Sequence, residues 1–339
     1  MAGIKRRKYA LISAVILLVV VELVVRTSWF WELSPTSTAQ EPLEVFEAAL
    51  ETYGQPDVVI LGNSITRNAI SPPTVEAGIG VTSPNIINAS LSGGMMTDYL
   101  TLYIQNREAM QSASVLVVGI EPRSFDNQES AVPENPSRFR RYASLSQRWA
   151  IEDTSEKVSL LAGALWRTWD ARQQLYGYLG DLVVRRDFDR SEPGIDGLGR
   201  IAIRPSTRSI DPDGIVNHAR QEAQYRFVEG VQFHAYEMLI ELARQDGLRL
   251  ALITLPQSEL WLREYYATLG PEAERWEAAV EEVAGVPVET VQFPRDQCRA
   301  MDDCYIDYGH MNERGAAIYS IAFGEWLTPR VLGIALTPR

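Results

Sequence analysis

Three residues of this chain are of the types that together perform nucleophilic chemistry: a serine, a histidine and an aspartate. Asp307 and His310 are three residues apart in the segment DYGHMN, whose Asn312 is a good residue to cap a following helix. In such a turn the carboxylate can reach the imidazole, and the other ring nitrogen can then act as a base toward a serine hydroxyl. Ser64 follows the strand-like segment VVIL at a strand-to-helix turn. The pattern predicts a Ser-His-Asp site, although Gly-Asn-Ser is also an ordinary turn.

A pair of glycines closes the segment NASLSGG, which follows the second predicted strand and ends at Gly94. Glycine lets the backbone come close to a ligand and present an N–H group to a developing oxyanion. The alternative is a plain glycine turn with no part in the chemistry.

These groups need a scaffold that brings distant segments together, and the hydrophobic pattern predicts one. Short apolar runs alternate with helical patterns, which is typical of a parallel, doubly wound α/β sheet with about five strands. A serine at the carboxyl end of the first strand lies where such folds bind their ligands. The predicted strands are 58–61, 86–88, 115–120, 248–254 and 288–292, and the predicted helices are 97–113, 229–245, 271–284 and 312–327.

Residues 123–228 interrupt this alternation, because they are too long for a single crossover between two strands. They contain a long helical run at 154–184, followed by a loop-like part rich in Gly, Asp and Pro at 187–214. We interpret them as a helical insertion that caps the sheet or meets a partner.

The N-terminal segment has the features of a membrane anchor. Four basic residues at positions 5–8 precede an apolar run, and aromatic residues follow it at the depth of an aromatic belt. This pattern predicts one transmembrane helix with a cytoplasmic N-terminus and an exported body, and the alternative is a cleaved signal peptide. The predicted division is a cytoplasmic segment 1–8, an anchor with its aromatic belt 9–31, a stalk 32–43 and a body 44–339.

The charge and the cysteines narrow the class of protein. The formal net charge of −12 repels phosphate backbones, which argues against a nucleic-acid partner. Cys298 and Cys304 are the only cysteines, and export would permit a disulfide between them. The alternative is two free thiols in a surface loop. Two cysteines without nearby histidines make a poor zinc site, so we expect neither a metal nor a cofactor.

The segments LGNS, NASLSG and DYGHMNERG together resemble the SGNH (GDSL-type) hydrolase superfamily, whose first block reads Gly-Asp-Ser and whose last reads Asp-x-x-His. The resemblance implies a flavodoxin-like, three-layer α/β sandwich. It implies the catalytic residues Ser64, Asp307 and His310, with the N–H groups of Ser64 and Gly93 as oxyanion donors.

Two positions depart from that family pattern. Asn63 stands where the first block has an aspartate, and Glu121 stands where the third block has an asparagine that completes the oxyanion hole. The oxyanion donor of the third block is therefore missing, and the loss of one such donor slows other enzymes roughly a hundredfold or more.

The segment GIEPRSF and the N-terminal anchor are similar to membrane-anchored SGNH-like proteins of cell-envelope polymer modification, such as the alginate acetylation proteins and the D-alanyl transfer protein of teichoic acids. The resemblance implies an extracytoplasmic serine esterase or O-acyl (acetyl) transferase that acts on an envelope glycan through an acyl-enzyme on Ser64. The alternative is a non-catalytic SGNH-fold subunit of a membrane complex. The expected partners are a lipid bilayer, a glycan or acyl donor and a membrane protein.

Overall fold

The computed structural model of the chain describes residues 2–27, 30, 41–79, 84–91, 93–126, 144–151, 154–170, 175, 212–222, 229–293, 295–298 and 301–331. A sheet of five parallel strands lies at its centre, in the order β2-β1-β3-β4-β5. The α/β class and the parallel sheet are therefore confirmed. The strands are β1 (Val58–Leu61), β2 (Ile86–Asn88), β3 (Val115–Ile120), β4 (Arg249–Thr254) and β5 (Val288–Thr290).

Two of the three inner strands, β1 and β3, are buried along their whole length. They read as continuous apolar runs because helices cover both faces of a parallel sheet. Val58 of β1 pairs with Val115 of β3 and with Ile86 of β2. The chain thus leaves β1 toward one side for β2 and returns on the other side for β3. The carboxyl end of β1 lies at this switch point, where α/β sheets leave a crevice for ligands.

Helices connect the strands and flank the sheet. In chain order the described helices are α1 (Ala2–Val25), α2 (Glu41–Tyr53), α3 (Ser64–Ala69), α4 (Pro72–Ile79), α5 (Met96–Gln105), α6 (Arg107–Ser112), α7 (Leu145–Ile151), α8 (Thr154–Leu165), α9 (Arg167–Asp170), α10 (Pro212–Glu222), α11 (Val231–Gln245), α12 (Glu259–Leu269), α13 (Pro271–Ala284), α14 (Met301–Cys304) and α15 (Glu313–Val331). A short 3-10 turn, Pro122–Phe125, follows β3.

The core has two halves, one on each face of the sheet. Val59 and Leu61 of β1 belong to the half that contains α5, α11 and α13, whereas Val58 and Ile60 belong to the half that contains α3, α4 and α15. Alternate residues of a strand point to opposite faces, so a single strand supplies both halves. Large, fully buried aromatic residues fill the space: Tyr99, Tyr103, Tyr236 and Trp276 in the first half, and Tyr319 and Phe323 in the second.

The ends of several elements differ from the sequence prediction. β4 begins one residue later than predicted, and β5 ends two residues earlier. The predicted helix 97–113 is divided into α5 and α6 at Asn106, whose side chain donates to the Leu102 carbonyl over 3.2 Å. A side-chain bond of this kind competes with the continuation of the helix. The helices α2, α4 and α12 were not predicted.

The predicted stalk, 32–43, is described only in part. Residues 41–43 belong to α2, while 32–40 lie outside the described residues.

The insertion is less regular than its sequence indicated. The run 154–184 is not one helix, because α8 ends at Leu165 and α9 begins at Arg167. The Glu22 carboxylate accepts hydrogen bonds from the backbone N–H groups of Arg167 (2.9 Å) and Thr168 (2.8 Å) and so caps the new start. The loop-like part is described only from 212 onward.

The helix α1 extends over 24 residues; its apolar side chains between Tyr9 and Val20 are exposed, whereas Val25 at its end is buried. Six consecutive apolar residues, 15–20, are each about half exposed or more. Because one turn of a helix takes about 3.6 residues, these six residues expose apolar surface on every side of α1. Within the part of the chain that the structure describes, no helix combines the length and apolar character needed to cross a membrane. The predicted transmembrane anchor is therefore unsupported by the structure.

Asp246, at the end of α11, ties that helix to the helices that precede β3. Its side chain is only 3% exposed and accepts hydrogen bonds from Arg107 (2.7 Å), Tyr103 (2.8 Å) and Gln111 (2.9 Å). The hydrogen bonds from Arg107 outweigh the opposing effect of burial and lower the pKa of Asp246 to about 2. A carboxyl whose pKa falls on folding stabilises the folded state above its unfolded pKa.

We expect Asp246→Asn to lower the free energy of unfolding by about 2 kcal/mol at pH 7. The stabilisation is lost as the pH falls below about 4, toward the folded pKa of about 2, so the difference from the wild type should shrink over that range. Urea unfolding at pH 7 and at pH 3 and below measures it, with Glu272→Gln, in an exposed pair with Arg275, as a control without effect. A difference that is independent of pH would contradict the assignment.

Candidate active site

The candidate nucleophile lies on the turn between β1 and α3. Ser64 is the first residue of α3, and Asn63 before it caps the helix: its Oδ1 accepts a hydrogen bond from the Ile65 N–H over 2.9 Å. Ser64 itself is partly exposed, whereas Asn63 and Ile65 are buried. The cap and the buried neighbours therefore fix this turn, and Ser64 keeps part of its surface open to solvent.

Two glycines at the strand ends let this turn lie close to the sheet. A Cβ at Gly62 or at Gly119 would overlap the side chain of Thr66, which is fully buried. Gly62 follows β1, and Gly119 lies near the end of β3. Because neither glycine has a Cβ, the first turn of α3 can pack against the ends of both strands.

The other two candidate residues lie on a closed turn before α15. Tyr305 and Met311 form an antiparallel bridge, and the Ile306 N–H donates to the carbonyl of His310 over 2.9 Å. Asn312 then caps α15, because its Oδ1 accepts from the Gly315 N–H over 3.0 Å. These bonds hold the turn that the sequence predicted before a helix start.

A disulfide holds the chain that enters this turn. Cys298 and Cys304 are bonded to each other, which confirms the predicted disulfide. The Cys304 carbonyl accepts from the Asn312 N–H over 3.0 Å and lies so close to Gly315 that a Cβ there would overlap it. The disulfide thus fixes the residue against which α15 begins.

The structure brings Ser64, His310 and Asp307 together in one chain of hydrogen bonds. His310 Nδ1 lies 2.7 Å from Asp307 Oδ2, and His310 Nε2 lies 2.7 Å from Ser64 Oγ. An ionised carboxylate can only accept, so Nδ1 carries the proton and Nε2 accepts from the serine hydroxyl. Asp307 Oδ1 accepts from the N–H groups of Gly309 (3.0 Å) and His310 (2.8 Å), which fixes the carboxylate itself.

Asp307 is held in its ionised form. Burial alone would raise its pKa, but the hydrogen bonds from the His310 ring and from the N–H groups of His310 and Gly309 outweigh burial, and the pKa lies below its usual value. Its side chain is 44% exposed and that of His310 20%. The site therefore opens to solvent and can receive a substrate.

The predicted oxyanion glycine lies on the loop that follows β2. The N–H groups of Ala89 and Leu91 donate to the carbonyls of Ile60 and Gly62, both over 2.8 Å, which carries the loop alongside the nucleophile turn. Gly93 has a φ of +62°, and a Cβ there would meet nothing within 4 Å, so backbone conformation rather than crowding requires glycine. The hydrogen bonds found among the described residues involve neither its N–H nor that of Ser64.

The sequence did not reveal the residues that pack against the turn carrying His310. The Tyr308 hydroxyl accepts from Arg123 over 3.1 Å, and its ring stacks on Trp261 with 5.7 Å between centroids. The Tyr308 carbonyl accepts from the N–H of Ser258, the cap of α12, over 2.7 Å. The only sequence signal was the position of Tyr308 between the two candidate residues.

Glu121 also has a function that the sequence did not reveal. Its Oε2 accepts a hydrogen bond from Asn63 Nδ2 over 2.5 Å, and both residues are more than nine-tenths buried. In the SGNH pattern, Glu121 stands only for the loss of an oxyanion donor. Because 58 residues separate the two positions in the chain, no local pattern could have paired them.

His234 of α11 contacts the insertion. His234 Nδ1 lies 3.1 Å from the carbonyl of Ile151, on the side of the insertion. No group of three or more His, Cys, Asp or Glu side chains in the described ranges could hold a metal ion.

Comparison with known proteins assigns no family to the chain. It matches no protein-family model, and no curated protein matches it. The chemistry of the site is therefore argued from its geometry.

We expect Asp307→Asn to slow covalent labelling of Ser64 by a fluorophosphonate by about 10³-fold or more, because an amide N–H facing Nδ1 would reverse the tautomer and leave Nε2 unable to accept a proton. The Oδ1 acceptor for the two backbone N–H groups would be kept, so the turn should stay folded. The labelling rate measures the effect, with Asp296→Asn, an exposed carboxylate before the disulfide, as the control. Labelling at the wild-type rate would exclude Asp307 from the site.

Proposed function

We propose that the protein is a serine esterase or O-acyl transferase that forms an acyl-enzyme on Ser64. The observation that carries the proposal is the continuous hydrogen-bonded chain from Asp307 through His310 to Ser64. Its two short bonds and its tautomer are those that a general base needs in order to take a proton from a serine hydroxyl.

The reaction has two halves. Ser64 Oγ attacks the acyl carbonyl as His310 Nε2 takes its proton, and the resulting oxyanion binds to the N–H groups of Ser64 and Gly93. As the intermediate collapses, His310 returns the proton to the leaving alcohol oxygen. Water or a sugar hydroxyl then attacks the acyl-enzyme as His310 takes its proton. His310 passes that proton to Ser64 Oγ as the acyl–serine bond breaks, which completes hydrolysis or transfer. Asp307 holds the Nδ1–H throughout and stabilises the imidazolium.

The finer fold assignment, a flavodoxin-like sandwich of the SGNH type, belongs to the same proposal. The strand order 2-1-3-4-5 is that of flavodoxin-like sheets, and the two halves of the core give three layers. The choice of an envelope glycan as the substrate rests on the sequence resemblance alone.

We also propose that α1 attaches the protein to a lipid bilayer and that the body lies in an extracytoplasmic compartment. A helix that is apolar on every side has no polar face to present to water, and the exposed residues of α1 surround it. The Cys298–Cys304 disulfide supports the second part, because disulfides persist in oxidising compartments.

A second candidate function is that of a non-catalytic subunit with a membrane-protein partner. One observation favours it: the insertion exposes large apolar side chains on α8 and beside it, with Leu165 84% and Trp166 47% exposed. A subunit without catalytic activity would have no need of the hydrogen-bonded chain at Ser64. We therefore favour the enzyme.

We expect a fluorophosphonate probe to label the full-length protein at Ser64 and the protein to hydrolyse an aryl acetate. Ser64→Ala should abolish the labelling and lower hydrolysis by at least about 10³-fold, because the nucleophile is lost. Ser146→Ala, at an exposed serine of α7, should leave both unchanged. Mass spectrometry of the labelled peptide identifies the site. Absence of labelling at Ser64, with hydrolysis equal to that of Ser64→Ala, would favour the non-catalytic subunit.

We expect the full-length chain to sediment with membranes after a carbonate wash and a chain without residues 2–25 to remain soluble, because the deletion removes the exposed apolar surface of α1. Leu17→Ile, which keeps that surface apolar, is the matched control. A truncated chain that still sediments with membranes would contradict attachment through α1.

A further inference from the structure

The side chain of Asn63 is fixed at both ends. Its Oδ1 accepts from the Ile65 N–H, and its Nδ2 donates to Glu121 Oε2. Ser64 lies between the two residues of the first bond, and Glu121 follows directly after β3. The amide therefore bridges the nucleophile turn to the end of the neighbouring strand.

Glu121 determines which way this amide points. A carboxylate offers only acceptors, so the NH₂ group of Asn63 must face Glu121 and its oxygen must face Ile65. The Asn63 amide is buried, so water cannot readily replace Glu121 as its acceptor. A hydrogen bond to a charged acceptor is also stronger than one to a neutral acceptor. The direction of the Asn63–Glu121 bond thus sets the cap that holds Ser64.

The two residues that depart from the SGNH pattern contact each other. The family pattern has an acid before the serine and an amide in the third block, whereas this chain has the amide at 63 and the acid at 121. The structure places these two side chains in a direct hydrogen bond. An acid at 63 and an amide at 121 would reverse donor and acceptor across this bond.

We propose that Glu121, acting through Asn63, is the positioning residue of the Ser64 turn. The proposal rests on the function proposed above for Ser64. It also assigns Glu121 as an acceptor for Asn63 and not as an oxyanion donor, so the oxyanion would be bound by backbone N–H groups alone.

Three variants test the pair in the full-length protein. Asn63→Asp sets two carboxylates against each other and should slow the maximal rate of fluorophosphonate labelling at pH 8 by about tenfold or more, since small displacements of a reacting atom are costly. Glu121→Gln keeps an acceptor oxygen and should lose only about threefold, because one charge-assisted bond becomes a neutral one. The double variant Asn63→Asp/Glu121→Gln restores an acid and an amide in reversed order and should recover to within about threefold of the wild type.

The concentration of probe that gives half the maximal rate should stay unchanged in all three variants, because the pair positions the nucleophile and does not touch the probe. Glu289→Gln, which alters a carboxylate paired with Arg330 at the far edge of the sheet, is the matched control and should label at the wild-type rate. The proposal is overturned if the double variant labels no faster than Asn63→Asp, or if Asn63→Asp labels at the wild-type rate.

Failure of the proposed function would give a different result. If the wild type is not labelled at Ser64, the esterase proposal is lost, and the pair is then tested by thermal unfolding. A midpoint lowered in Asn63→Asp and restored in the double variant would support the Asn63–Glu121 pair, and an unrestored midpoint would overturn it. The same unfolding measurement identifies a single variant that fails to fold, in which case the double variant and Glu121→Gln decide the outcome.

Discussion

The parallel pairing of β1 with β3 is the constraint on which the candidate site depends. Leu61 lies opposite Val118, so the residues that follow the two strands emerge side by side at the switch point of the sheet. Asn63 and Glu121 are consequently neighbours although 58 residues separate them in the chain. A shift of this register by one residue would turn the apolar side chains of β1 to the opposite faces and would separate the nucleophile turn from the end of β3.

Three buried or partly buried carboxylates accept hydrogen bonds that hold parts of the fold in place. Asp246 joins α11 to α5 and α6, Asp307 orients His310, and Glu121 orients Asn63. Each accepts a hydrogen bond from a group whose position the fold fixes, and in Asp246 and Asp307 these bonds lower the pKa of the carboxyl. In the first case the benefit is stability, and in the other two it is the direction of a neighbouring side chain. Glu22 likewise caps α9 and thereby joins α1 to the insertion.

Much of the fold could be predicted from the sequence, because buried parallel strands are short apolar runs that stand out against helical periodicity. Three of the five strands have their predicted bounds, and α13 has its predicted range. The helix α12 was missed although its start carries a local signal, the capping side chain of Ser258. The division at Asn106 and the start of α9 at Arg167 also could not be predicted, because a side-chain bond to a carbonyl and the distant carboxylate of Glu22 decide them.

The sequence by itself determined the chemical types and the local geometry of the site: a serine at a strand end, and an aspartate three residues before a histidine at a helix start. Those features depend on neighbouring residues, and local sequence encodes them. Only the tertiary structure decided that Ser64 meets His310, that Tyr308 packs on Trp261, and that Asn63 binds Glu121. These contacts join residues from 47 to 246 positions apart, and they form because the sheet and its two core halves bring separate strand ends to one edge.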